Sequence, residues 1–244
     1  MKLYFDLHTH SIMSTHAYST IEENIKAALE KGLYAYGISD HSYMIKGGAN
    51  EVYFRNFKAV PTEINGMKIL TGAEINILDL DGEMDLTEKM EDALDFIIVS
   101  AHTPLLTPGT KEENTECYIK IMQNPRIKII GHPDDSRVEV DYERLAKEAK
   151  RTETVLELNN SSLTPLGHRI NARENISEML KYAEKFGTRI VVNSDAHFST
   201  DVGNFQYALE ILKECNFPEE LVVNSCPDGL KYVINESERT INMF

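Results

Sequence analysis

The sequence predicts an α/β protein: a distorted, TIM-like (βα)7 barrel of parallel strands with its active site at the C-terminal ends of the strands. Three observations predict it. Seven short apolar runs alternate with helix-like amphipathic stretches, as repeated βα units do. The runs are rich in Ile and Val without strict polar alternation, which fits strands buried on both faces. Each run also ends at a polar residue of one chemical kind, His, Glu or Asp. Seven units in place of eight describe an incomplete relative of the eight-fold barrel.

The elements follow in order. The first run spans residues 3–7. Ser19-Thr20-Ile21-Glu22 reads as a capping box, followed by Ile21, Ile25, Ala28 and Leu29 on one helical face and by Gly32 as a stop. The second run, 34–38, ends at Ser39-Asp40-His41. The third, 68–73, ends at Glu74, and Asp81-Gly82 beyond it signals a turn or hairpin. The fourth, 96–101, ends at His102, and the fifth, 127–131, at His132. The sixth, 154–156, ends at Glu157, with Asn159 and Asn160 just beyond. The seventh, 189–194, ends at Asp195-Ala196-His197. Helices are expected above all at 142–150, 173–186 and 205–213. No Pro/Gly/Ser-rich linker or low-complexity tract interrupts the chain, so residues 1–244 are expected to form one domain.

Composition narrows the function. A hydrophobic fraction of 42% and a charged fraction of 26% fit an ordinary soluble globular protein. No apolar run approaches the roughly 18 residues of a membrane span. The opening Met1-Lys2-Leu3-Tyr4-Phe5-Asp6 meets an acid and a histidine too early for a secretory signal. Cys117, Cys215 and Cys226 are odd in number and far apart, which argues against a disulfide framework and for a reducing cytoplasm. They are expected to be small buried hydrophobes. A formal charge of −14 disfavours a nonspecific nucleic-acid binder, although bound divalent cations would invert that sign locally.

The strand-end residues carry the chemistry. They are His8 and His10, His41, Glu74, His102, His132, and Asp195 with His197; His16 lies in the loop after the first strand. A parallel barrel gathers the C-terminal ends of its strands at one mouth, so residues scattered from His8 to His197 would meet there. His8 and His10 are two apart on an extended segment and share a face, with Thr9 turned away, and Asp195 and His197 repeat the spacing. Imidazole with carboxylate, and no thiolate, suits Zn, Mn or Fe. Taken singly, each of these residues has a bland structural reading. Yet six of the eight histidines end a predicted strand, which core or surface histidines have no reason to do. Only His16 and His168 do not, and His168 is either a solvated loop residue or a substrate contact.

These residues also carry a resemblance. Asp6-Leu7-His8-Thr9-His10-Ser11, Ser39-Asp40-His41, Gly72-Ala73-Glu74-Ile75-Asn76, Ala101-His102, Gly131-His132-Pro133 and Ser194-Asp195-Ala196-His197 resemble, in order, the motifs of the PHP (polymerase and histidinol phosphatase) superfamily. Ser14-Thr15-His16-Ala17-Tyr18-Ser19, residues 72–86 and Glu157-Leu158-Asn159-Asn160-Ser161-Ser162 resemble its stand-alone bacterial phosphatases. The resemblance implies three divalent ions. His8, His10, Glu74 and Asp195 would hold the first, Glu74, His102 and His132 the second, and His16, His41 and His197 the third.

The implied reaction is hydrolysis of a small phosphate monoester by a metal-bridging hydroxide, without a Ser or Cys nucleophile. Glu74 and Asp195 are the candidate catalytic carboxylates, and either Asp195 or a metal-bound water would protonate the leaving group. Asp40, Glu157 and Asn159 are candidates for orienting ligand histidines. Arg169 and Arg173 are candidate phosphate contacts, Arg173 alternatively opening the next helix and facing water. The substrate would be selected by loops 42–56, 105–111 and 161–173.

Three other readings compete. An amidohydrolase also opens with His-X-His, but Lys128 lies near the start of its run and strand four ends in His102, where that family needs a modified Lys. A nuclease or phosphodiesterase-type PHP domain is the main alternative, and the acidic charge speaks against it. A metal-stabilised binding domain is opposed by the complete ligand set.

Overall fold

The computed structural model describes residues 1–237 and 239–242. Seven parallel strands form the path β1 (Phe5–Asp6), β2 (Ala35–Ile38), β4 (Met67–Asn76), β5 (Phe96–Ser100), β6 (Ile129–Ile130), β7 (Val155–Asn159) and β8 (Ile190–Asn193). A two-residue strand that the sequence did not suggest, β3 (Glu63–Ile64), pairs antiparallel with the start of β4. The helices are α1 (Ile21–Glu30), α2 (Glu51–Arg55), α3 (Glu88–Ala93), α4 (Lys111–Ile121), α5 (Tyr142–Thr152), α6 (Ala172–Phe186) and α7 (Gln206–Glu214). Among the described residues no helix is long and apolar enough to cross a membrane.

The sheet curls until its ends meet. At the mouth an isolated parallel bridge joins Thr9 to Ala196, with His10 N donating to Ala196 O at 2.8 Å. Lower down, Asn224 fills the seam: its side chain donates to Phe5 O and Val192 O and accepts from Val192 N. Side chains then alternate between two cores, as they must along strands buried on both faces. Phe5, Leu7, Ala35, Leu70, Phe96, Ile98, Ile129, Val155 and Val191 fill the barrel, which Val223, Leu230 and Val233 plug from below. Tyr36, Ile38, Ile69, Ile75, Ile97, Val99, Leu156 and Val192 face outward beneath the helices. Gly72 is required on the inner face, because a Cβ there would lie 2.5 Å from the Phe96 ring. Gly131 is required too, since its Cβ would collide with Ser100 Oγ.

Some boundaries differ from expectation. The first helix does carry a capping box, but one residue later, from Thr20 to Glu23; Ser19 Oγ instead accepts from Ser199 N. Helix α4 has a second such box, Thr110 with Glu113. Glu74 and Glu157 lie two residues inside their strands, not at the ends, because β4 and β7 run on to Asn76 and Asn159. The Asp81-Gly82 turn is closed by the antiparallel bridge between Ile77 and Met84. All three cysteines are free; Cys117 is buried and Cys215 half-buried, whereas Cys226 is exposed, contrary to expectation, on the C-terminal segment that plugs the barrel.

Candidate metal centre

Barrel closure builds half of the site. Because Thr9 and Ala196 pair across the seam, their neighbours His8, His10, Asp195 and His197 fall on the mouth side. His8 Nε2 lies 3.4 Å from Glu74 Oε2 and 3.7 Å from Asp195 Oδ1, and His10 Nε2 lies 3.5 and 3.3 Å from the same atoms. Glu74 is central. Its Oε2 also faces His41 Nδ1 at 2.7 Å, and its Oε1 faces His132 Nε2 at 2.8 Å and His102 Nε2 at 3.3 Å. His16 joins through His41, Nε2 to Nε2 at 3.3 Å, and His197 Nδ1 is 3.5 Å from Asp195 Oδ1. The structure therefore brings together all seven of these histidines and both carboxylates.

The outer nitrogens of the rings are committed, which turns the inner ones to the centre. His8 Nδ1 lies 2.7 Å from Glu157 Oε1, and His102 Nδ1 lies 2.7 Å from Asn76 Oδ1. Asn76 donates its own Nδ2 to Asp85, so its oxygen must accept from His102 and leave Nε2 unprotonated. His10 Nδ1 sits 3.0 Å from Ser14 Oγ, whose proton goes to Asp40 Oδ1 at 2.6 Å. Glu157 thus holds His8 directly and Asp40 reaches His10 through Ser14, the kind of contact to histidines that the sequence suggested. Asn159 instead holds a carboxylate, donating to Asp195 Oδ2 at 3.1 Å. Ser14, Asn76, Asp85 and Asn193 act beside them and were not foreseen.

Fit to metal ions can be tested on atoms left without partners. His8 Nε2, His10 Nε2, His41 Nδ1 and Glu74 Oε2 are buried and form no well-aligned hydrogen bond. Orphans of this kind are costly in a protein interior unless something binds them. Among the described residues, four groups of three side chains that could hold an ion have their donor atoms within 4.8 Å of one another: His10, His41 and His197; His8, His132 and Asp195; His8, His10 and Glu74; His41, Glu74 and His102. His, Glu and Asp donors of this kind fit zinc, manganese or iron.

Protonation states agree. Burial opposes ionisation of Glu74, but His41, His8 and His102 outweigh it and hold the carboxyl well below its usual range. Asp195 is likewise held low against burial by His8, His10, His197 and Arg169. Burial and the charge of Arg169 push His132 down to about 4, and burial with the neighbouring His197 and His41 holds His10 well below normal. His8 goes the other way, raised against burial by Glu157, Glu74 and Asp195. Glu74 and Asp195 are thus held as carboxylates and His10 and His132 as neutral imidazoles, the forms that bind a metal ion, whereas His8 is held toward its protonated form.

A cavity of about 860 Å³ opens above these residues, with His168, Arg137, Tyr207, Leu166 and Ile45 among its walls. The two candidate arginines part company. Arg169 is buried at the mouth, donating to Ser162 Oγ at 2.8 Å and Asp195 Oδ2 at 3.2 Å. Arg173 lies on α6, pairs with Glu214 of α7 and is not brought to the mouth. His168 is an exposed residue of the cavity wall. Asp134, unremarked in the sequence, is fully buried beside Arg169, its Oδ1 3.9 Å from Arg169 Nε. Burial pushes it up to about 7 against the pull of Arg169.

Fold and site together define an α/β barrel protein whose mouth gathers histidines and carboxylates that could hold metal ions. The chain belongs to the PHP domain family: residues 6–163 match the PHP domain and residues 177–219 the PHP-associated domain. It is 40% identical to a probable phosphatase of Thermoanaerobacter sp. (strain X514) over 99% of this chain and 98% of that protein. It is 39% identical to a probable phosphatase of Clostridium novyi (strain NT), over 92% and 91%. Among solved structures it is similar to a histidinol phosphate phosphatase from Lactococcus lactis subsp. lactis Il1403, complexed with zinc, L-histidinol and phosphate. There the TM-score is 0.57 at 15% identity, covering 88% and 94% of the two chains. A chain of an archaeal ribonuclease P with mature tRNA shares the fold at TM-score 0.59 and 18% identity, over 93% and 90%.

Proposed function

We propose that the protein is a metal-dependent phosphatase, a phosphoric monoester hydrolase that acts on a small phosphorylated metabolite with three divalent ions, zinc foremost. The observation that carries this reading is the convergence of orphaned His41 Nδ1 and Glu74 Oε2, which line the cavity, with orphaned His8 Nε2 and His10 Nε2, fully buried against Glu74. The reaction class is supported by relatives named probable phosphatases and by the phosphatase of like fold solved with zinc and phosphate. Bound ions would supply hydroxide from water near neutral pH and would neutralise charge on the phosphoryl oxygens.

The chain's residues do the rest. His8, His10, Glu74 and Asp195 would hold one ion, Glu74, His102 and His132 a second, and His16, His41 and His197 a third. Glu74, kept ionised at the centre, serves two of them. Asp195, also kept ionised, is assigned as a ligand and not as the proton donor. Arg169 presents its guanidinium beside Asp195, where a phosphoryl oxygen would arrive. The walls leave room for an alcohol leaving group well beyond phosphate itself.

The test has two arms. Elemental analysis of chelator-free protein should find three ions per chain, and at most one after reconstitution would sink the trinuclear arrangement. An aryl phosphate and small phosphorylated metabolites should be hydrolysed far faster than single- or double-stranded DNA at moderate salt. Oligonucleotide cleavage faster than every monoester tried would favour a nuclease instead.

A further inference from the structure

We infer that Asp134 is a positioning residue for substrate: it holds the Arg169 guanidinium at the mouth of the barrel, ready for a phosphoryl oxygen. The inference rests on the phosphatase reading above. Arg169 has an unusual setting, since its side chain is only 7% exposed although it lines the cavity. Its NH1 group donates to Ser162 Oγ at 2.8 Å and reaches Asn159 Oδ1 at 3.4 Å, and its NH2 group donates to Asp195 Oδ2 at 3.2 Å. A guanidinium carries five N–H donors, so an NH2 hydrogen remains for a ligand.

Charge decides what keeps the group there. Asp195 turns Oδ1 to His8, His10 and His197, and its charge belongs to the ion that it would hold with His8 and His10. A guanidinium left beside dications with no anion of its own would be repelled from the mouth. Glu157 does not supply that anion, because all its capacity goes to His8, Asn193, His132 N and Asn159. Asp134 is the remaining carboxylate at Arg169: fully buried, 3.9 Å from Nε, with no well-formed hydrogen bond to either oxygen. The loop after β6 thus contributes two residues with separate tasks, His132 to the metal centre and Asp134 to the arginine.

The test is calorimetric titration of inorganic phosphate onto the zinc-reconstituted full chain, with steady-state kinetics on an aryl phosphate alongside. Asp134→Asn keeps the shape and removes the charge. It should weaken phosphate binding roughly tenfold, the usual scale for losing a charged partner. The loss should fall on KM more than on kcat, and zinc content should not change. Asp134→Glu, which keeps the charge, should recover part of the loss. In an Arg169→Ala background, Asp134→Asn should add nothing, since its effect passes through the arginine. Wild-type phosphate affinity in Asp134→Asn would overturn the inference. So would an equal loss in the Arg169→Ala background, or a loss of zinc that showed Asp134 acting through His132. Absence of phosphate binding by the wild type would instead overturn the phosphatase reading itself, and this inference with it.

Discussion

Glu157→Gln should weaken metal binding although Glu157 is not expected to touch a metal ion. The carboxylate is fully buried and accepts four hydrogen bonds. Oε1 takes His8 Nδ1 at 2.7 Å and Asn193 Nδ2 at 2.8 Å; Oε2 takes His132 N at 2.8 Å and Asn159 Nδ2 at 3.1 Å. Glutamine offers one oxygen and one amino group, so two of the four donors lose their acceptor. The backbone N–H of His132 cannot change, so the oxygen should settle there and the amino group should face His8 and Asn193. His8 can then accept only by moving its proton to Nε2, the nitrogen aimed at the metal centre. Asn193 cannot adapt in the same way, because its Oδ1 already accepts from Leu7 N. Losing such a supporting contact costs about 10–100-fold in metal affinity. That corresponds to about 1.4–2.8 kcal/mol. The stranded Asn193 donor should cost the fold a further ~1–3 kcal/mol. Zinc competition against a chromophoric chelator measures the first quantity and urea denaturation of metal-free protein the second. Zinc affinity within twofold of wild type would refute the claim that Glu157 sets the His8 tautomer.

Other outcomes follow from the same geometry. Glu74→Gln should lower kcat at least about 100-fold, beyond the usual range for a supporting residue, and His16→Ala by less; equal, mild losses would show that Glu74 does not serve two ions. Arg173→Ala should leave KM for an aryl phosphate unchanged and shift stability by less than ~1 kcal/mol, because its pair with Glu214 is exposed; a raised KM would return it to the site. Arg239 is buried beneath the barrel, bonding Asp95 Oδ2 and the carbonyls of Phe57, Val60 and Ile69. Asp95→Ala should therefore destabilise by about 3–5 kcal/mol, as breaking a buried ion pair does. A urea midpoint close to wild type would show that this strap holds nothing.

What was legible in the sequence was the part set by period and by chemistry. Runs such as 96–101 and 189–194 had no alternating polar face, and β5 and β8 are indeed buried on both sides. The candidate ligands could be read because most of them stand where an apolar run gives out; Glu74 lies inside its strand and His16 in a loop. Other features were hidden for physical reasons. β1 and β6 have only two ladder residues each, since closure of the barrel and not local propensity holds them. Thr110 and Glu113 gave a capping signal as clear as that of the first helix, but the helix behind it, Lys111–Ile121, is polar and weakly patterned. Asn76, Ser14 and Asp134 are ordinary polar residues until the fold sets them against His102, His10 and Arg169. Arg169 and Arg173 were both candidate phosphate contacts in sequence, and for Arg173 the alternative of opening the next helix and facing water is the one found. Helix α6, beginning at Ala172, turns Arg173 outward and leaves Arg169 at the mouth.

The metal centre and the apolar core are successive levels of one interior. On β4 the inward column reads Leu70, Gly72, Glu74, Asn76; on β5 it reads Phe96, Ile98, Ser100; on β7 it reads Val155, Glu157, Asn159. The lower members fill the barrel, the small residues beside Phe96 and Ser100 make the transition, and the carboxylates and amides form the floor of the site. A slip of one residue in β4 would replace Glu74 by Ala73 or Ile75, so burial of Leu70 and placement of Glu74 are enforced by the same register. Where the strands end, the ligands leave extended geometry: His132 and Asp195 adopt φ of +26° and +55°. Non-glycine residues held so cost about 1–3 kcal/mol each and persist only where their surroundings fix them. Here the surroundings are Glu157, which accepts from His132 N, and Asn159 with Arg169, which donate to Asp195 Oδ2. The groups that hold the strained backbone are thus the same ones that orient the ligands, and the strength of one function limits the freedom of the other.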